Sequence, residues 1–193
     1  MARLRRECAW KAGQTHESLV RYLVEETYET IEAIEAGDAE GDHGHLREEL
    51  GDLLLQVYFH AAIAAERSEF GIEDVAADLV AKLRRRNPHV FGTEAERAAA
   101  HDPESINEQW ERIKAEEKQR RDVMEGVPAE LPALLRAVKA LDRLERAGVP
   151  LPSGSAASDD LGDRLLALVI EAREAGIDPE QALRSTVRRV SQG

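Results

Sequence analysis

Cysteine is almost missing from this chain. Cys8 stands alone among 193 residues, which excludes an intramolecular disulfide framework and suits a reducing compartment. Long apolar runs are missing as well: no stretch approaches a membrane span. The basic start, Met1 to Arg6, runs into Glu7, Trp10 and Lys11 rather than into the apolar core of a signal peptide. The expectation is a cytoplasmic protein with no membrane partner. Positive charge is in deficit, with 26 Lys and Arg against 38 Asp and Glu and a formal net charge of −12, so no nucleic-acid partner is expected either. A polyanionic substrate has to be met by a local basic cluster or by metal. Period-two alternation, the mark of half-buried strands, is nearly absent, and helical periodicity takes its place.

That periodicity predicts an all-α chain with helices at about 15–36, 43–68, 72–86, 103–122, 130–147, 160–175 and 178–190. Thr15 reads as the N-cap of the first, and Gly37-Asp38 as its stop. Residues 87–102 read as a loop with one short helical turn, and 151–158 as a flexible connector. The chain is long enough for one sizeable core or for two small helical units.

Two acidic clusters, Glu25-Glu26-x-x-Glu29 and Glu49-x-x-Asp52, lie on the first two predicted helices. Residues three apart share a helix face, so Glu26 and Glu29 project together, as do Glu49 and Asp52. At 100° per residue Glu26 falls inside the stripe of Leu19, Tyr22, Leu23 and Ala33. Glu49 lies beside Leu46, Leu53 and Ala64, with Asp52, Gln56 and His60 following at four-residue steps. Two carboxylates about 5 Å apart repel by roughly 3 kcal/mol at an effective dielectric near 20, so acids in such stripes call for protonation or a cation. All-oxygen ligation favours Mg²⁺, Mn²⁺ or Ca²⁺ over zinc. Most acidic helices are instead solvated faces, and Glu32, Glu35, Glu40 and Glu48 fit that description. Glu25 is either an outer-shell carboxylate or plain surface. Gly51 costs its helix about 1 kcal/mol relative to alanine, which suggests close approach of a helix or substrate. His60 reads as a hydrogen-bonded core histidine rather than a ligand, and Cys8 as an inert thiol in a mobile N-terminal segment.

The run Lys82, Arg84, Arg85, Arg86 is open to two readings, ordinary helix-dipole compensation or phosphate binding. Trp110 is likewise either a core anchor or a base-stacking side chain. The second acidic helix also has a faint echo: Glu49-Leu50-Gly51-Asp52 with Leu54-Leu55 reappears as Asp160-Leu161-Gly162-Asp163 with Leu165-Leu166, without a second Glu-Glu-x-x-Glu to face it.

These residues resemble the MazG family of nucleoside triphosphate pyrophosphohydrolases. The likeness rests on the EExxE and ExxD pair and runs on through Gln14 to Leu19, Tyr22 to Glu26, Arg47 to Gln56, Asn87 to Gly92, Trp110, Lys114 to Lys118, Gly126-Val127-Pro128 and Leu131 to Leu134. It implies an all-α helical bundle, with residues 1–125 as a catalytic repeat and 126–193 as a degenerate, structural second repeat. It implies Mg²⁺, which Mn²⁺ can replace, held by Glu26, Glu29, Glu49 and Asp52 as the catalytic set. It further implies substrate contacts from His45, Arg47, Lys82, Arg85, Arg86 and Trp110, His45 standing where relatives can have a lysine. The expected reaction is hydrolysis of normal or damaged (deoxy)nucleoside triphosphates to monophosphate and pyrophosphate, in nucleotide-pool regulation or house-cleaning, by a homodimer or higher homo-oligomer. The alternatives are a dUTP- or phosphoribosyl-ATP-specific enzyme of the same scaffold, or a non-catalytic helical protein that binds nucleotide or metal.

Overall fold

A computed structural model describes the chain except residues 99–101, 119–121, 153–155 and 193, and except the side chains at 38–40, 118 and 192. The described residues form helices and connecting turns, with no strand among them. Two compact units divide the chain at 113 and 114.

The first unit is built on a long helical hairpin, α3 (His16–Glu40) against α4 (Gly44–Glu66), preceded by α1 (Ala2–Glu7) and α2 (Ala9–Ala12). Thr15 opens α3 with a capping box: its Oγ1 accepts from the Ser18 N–H at 3.1 Å, and Ser18 Oγ accepts from the Thr15 N–H at 2.9 Å. The expected stop at Gly37-Asp38 is not where α3 ends. The helix runs one turn further, to Glu40, and Gly41 closes it in the left-handed region at φ 74°. Gly37 serves packing instead, because a Cβ there would meet the Asp42 carbonyl and the His43 ring at 3.0 Å. The hairpin closes around Leu19, Phe59 and Ile63, with Met1 and Tyr22 packed against them.

The N-terminal segment, expected to be mobile, is two short helices pinned by a buried arginine. The Arg5 guanidinium donates to both oxygens of Glu66, at 2.8 and 2.6 Å, and to the carbonyls of Lys11 and Gln14. It lies 5.8 Å from the Phe59 ring centroid. Its partner is 61 residues away, so no local pattern announces the contact.

Helix α5 (Ile72–Arg86) follows, with Asp74 accepting the Gly71 N–H at its start. The predicted loop at 87–102 holds two helical turns, α6 (Pro88–Phe91) and α7 (Glu94–Arg97), the latter opened by a Thr93 and Glu96 capping box. Helix α8 is described over Pro103–Lys118, and its expected extension to 122 runs into residues 119–121, which lie outside the described residues. In the second unit α9 (Ala133–Arg146), α10 (Leu161–Glu174) and α11 (Pro179–Gln192) pack together, with Leu141 and Val169 buried. Arg173 of α10 ties it to α9 by donating to Asp142 at 2.8 Å and to Glu145. Part of the expected connector, residues 153–155, lies outside the described residues.

Candidate metal centre

The hairpin is antiparallel, so the second and third turns of α3 meet the first half of α4, and this is where the acids converge. Glu26, Glu49 and Asp52 each offer an oxygen within 4.8 Å of the others. Glu49 is buried, at 8 % exposure, while Glu26 and Asp52 are half-buried. Burial raises the Glu26 carboxyl above its ordinary value, and the charges of Asp52, Glu29, Glu49 and Glu25 raise it further in that order. A cation among these oxygens would reverse that repulsion. The donor set is all oxygen and matches a hard divalent ion, so the residues fit a metal of that class.

Glu29 is exposed and outside the group of three, one turn along α3, though near enough for its charge to act on Glu26. Glu25 is exposed and has the smallest of those effects. His45 Nδ1 stands 3.4 Å from Glu49 Oε1 and 3.9 Å from Glu48 Oε2, so the imidazole is turned toward a carboxylate of the group. Arg47 is exposed on α4. On α5, Lys82 and Arg85 line a groove of about 860 Å³ that also includes Val57 and Phe70. Arg86 lies elsewhere on that helix, its guanidinium 5.6 Å from the ring centroid of a half-buried Trp110. Glu35, read as solvated, is not: its carboxylate oxygens are shielded from water. Among the described residues, no atom outside its own stretch of α4 lies within 4 Å of the Cβ position at Gly51.

Further along the same line of α4, Gln56 is buried and His60 is hydrogen-bonded, as a core histidine should be. Its partner, His16 at the start of α3, went unnoticed in the sequence. The two Nδ1 atoms are 2.7 Å apart, with ring planes 4° apart and centroids 5.0 Å apart. That combination is an in-plane, edge-to-edge hydrogen bond rather than face stacking, and it requires one ring to donate and the other to accept. Burial, and then His16, lower the His60 pKa, which keeps the acceptor form available. Four-residue spacing from Gln56 flagged His60; nothing local could have matched it to His16, 44 residues away.

Comparison with known proteins agrees with this hairpin. The profile of the MazG nucleotide pyrophosphohydrolase domain matches residues 14–91, which contain α3, α4 and α5. The chain is 39% identical over 205 residues to a nucleoside triphosphate pyrophosphohydrolase/pyrophosphatase MazG of Thermotoga maritima, covering 94% of this chain and 75% of that one. A nucleoside triphosphate pyrophosphohydrolase of Mycobacterium tuberculosis is 41% identical over 189 residues, 97% of this chain and 52% of the relative. An uncharacterized 26.1 kDa protein of Streptomyces cacaoi is 47% identical over 188 residues, 96% of this chain and 74% of the relative.

Proposed function

The chain belongs to the MazG family, and on that premise we propose that it hydrolyses nucleoside triphosphates to the monophosphate and pyrophosphate with Mg²⁺, or Mn²⁺ in its place. The observation that carries this reading is the convergence of Glu26, Glu49 and Asp52 from two helices onto one point. These three carboxylates would hold the ion, and Glu29, one turn away, stands beside them. A bound divalent ion supplies positive charge to the phosphoryl oxygens and acidifies water for attack. In the reaction a water oxygen bonds to the α-phosphorus, the bond from that phosphorus to the α,β-bridging oxygen breaks, pyrophosphate leaves, and one water proton is released.

The chain's own residues set the geometry. His45, 3.4 Å from Glu49, orients that carboxylate, and burial of Glu49 fixes it against the hairpin. Arg86 and Trp110 together offer a cation and an aromatic face, the pair of contacts a nucleotide uses. A chain of net charge −12 binds a polyanion through local positive charge of this kind or through bound metal. The substrate class is normal or damaged (deoxy)nucleoside triphosphates, the role nucleotide-pool regulation or house-cleaning, the location the cytoplasm, and the working form a homo-oligomer. Among the described residues no helix is long and apolar enough to cross a membrane.

Pyrophosphate release over a panel of nucleoside triphosphates, with and without Mg²⁺, tests the reading. Release that requires the ion and stops with a chelator is expected. Binding of nucleotide without release of pyrophosphate from any substrate overturns it.

A further inference from the structure

Next to its two carboxylates of the metal centre, α4 carries a polar group that nothing among the described residues satisfies. Gln56 is 5% exposed, and its Oε1 is buried without a hydrogen-bond partner. A buried acceptor left unpaired is unfavourable, and folds keep one where something else uses it. The neighbour on its own helix does not. His60, the next residue along this line of α4, turns its Nδ1 to His16, and its Nε2 is itself buried without a partner.

The direction in which Gln56 points follows from the residues on either side of it. Asp52, four residues before, meets Glu26 of α3, and His60, four residues after, meets His16 of α3. Residues at four-residue steps share a helix face, so Gln56 faces α3 between these two contacts, in agreement with its burial. It is one turn from Asp52, and side chains one turn apart have Cβ atoms about 5–6 Å from one another. A water hydrogen-bonded on both sides, at about 2.8 Å each, covers that distance. The turn between Asp52 and Gln56 therefore has the span of one water.

What that water does depends on the function proposed above, on which this inference rests and which it deepens. Hydrolysis needs a water held with a lone pair toward the α-phosphorus, and an acceptor for its hydrogen fixes that direction. We propose that Gln56 is this acceptor, its Oε1 taking a hydrogen bond from the attacking water and so orienting it. The water oxygen bonds to the α-phosphorus as the bond to the α,β-bridging oxygen breaks, and pyrophosphate leaves with that electron pair. The amide takes no proton, and the one that the water loses goes to solvent. An amide suits this position better than an acid would. It accepts as a carboxylate does, yet adds no charge to a cluster in which three carboxylates already repel one another.

Gln56→Met in the full chain tests the inference, because methionine fills a similar volume and is at most a weak acceptor. Measured well below the melting temperature, kcat for pyrophosphate release should fall about 10²-fold, the cost of a misplaced reactant. Calorimetric affinities for Mn²⁺ and for the α,β-methylene analogue of the substrate should stay within about threefold of wild type, and the melting temperature should not fall. Turnover within about threefold of wild type overturns the inference. So does a loss of turnover accompanied by Mn²⁺ binding weakened about tenfold or more, which would make Gln56 a ligand of the ion. Should Gln56→Met fail to fold, the wild type decides: its Gln56 side-chain amide resonance should shift when Mg²⁺ and the α,β-methylene analogue bind together, and an unmoved resonance overturns the inference. A wild type that releases pyrophosphate from no triphosphate overturns the function proposed above and this inference with it. An active wild type beside an equally active Gln56→Met overturns this inference alone.

Discussion

At the scale of single residues, the site depends on charge that the apo protein tolerates poorly. Glu26 sits where burial and four carboxylates oppose its ionisation, so the apo fold disfavours its charged form. Replacing it with glutamine keeps the volume and removes the charge. Glu26→Gln should therefore melt at or slightly above wild type without metal, while pyrophosphate release falls by two orders of magnitude or more. Glu49→Gln should lose activity similarly. The exposed Glu32 is the control, and Glu32→Gln should keep its activity. Near-normal turnover in both Glu26 and Glu49 variants would remove these residues from the metal centre. Glu35 would not serve as a control, because its carboxylate is shielded.

At the scale of elements, the helices and the three converging acids were legible because both rest on local periodicity. Glu26 and Glu49 break an apolar stripe within one or two turns of sequence, and that break is visible without knowing what lies across from it. Contacts between distant elements were not legible. Arg5 with Glu66, and His16 with His60, join residues 61 and 44 apart, and neither side chain carries a local signal of its partner. Gly37 misled because a glycine after an apolar stripe has the pattern of a C-cap, whereas here it makes room for His43. Arg5 also gives α1 and α2 a pH dependence. Its hydrogen bonds hold the Glu66 carboxyl below the ordinary range. A lowered folded value adds stability that is complete above the ordinary carboxylate range and is lost as pH falls through the folded value. Glu66→Gln should cost about 1–2 kcal/mol at pH 7, a figure reduced for the partial exposure of Glu66, and much less in acid. Thermal melts at both pH values, with proteolysis between residues 1 and 15 as a readout of release, check this. Equal losses at the two pH values would show that shape rather than charge holds the segment.

At the scale of the whole molecule, the question is what the second unit contributes. Its echo of the metal motif occupies a different place in its helix. Glu49 lies in the second turn of α4, whereas Asp160 is the N-cap of α10, its side chain accepting from the N–H groups of Gly162 at 2.6 Å and Asp163 at 3.1 Å. Asp163 accepts instead from the Ser158 hydroxyl at 3.0 Å. A carboxylate already spent on capping, with no Glu-Glu-x-x-Glu sequence to face it, is poorly suited to clamp a triphosphate. We therefore propose that residues 126–193, which lie within the second unit, are a structural, degenerate repeat and that residues 1–125 carry the chemistry. Asparagine caps helices about as well as aspartate, so Asp160→Asn with Asp163→Asn should leave both the fold and pyrophosphate release close to wild type. Leu141→Ala, which opens a cavity at the buried contact of the second unit, should cost about 2–5 kcal/mol of that unit's stability. Its effect on release should follow its effect on folding as temperature is raised, rather than appear where the protein is still folded. Loss of turnover in the double asparagine variant, at unchanged mass and melting temperature, would give the second unit a share of a working site.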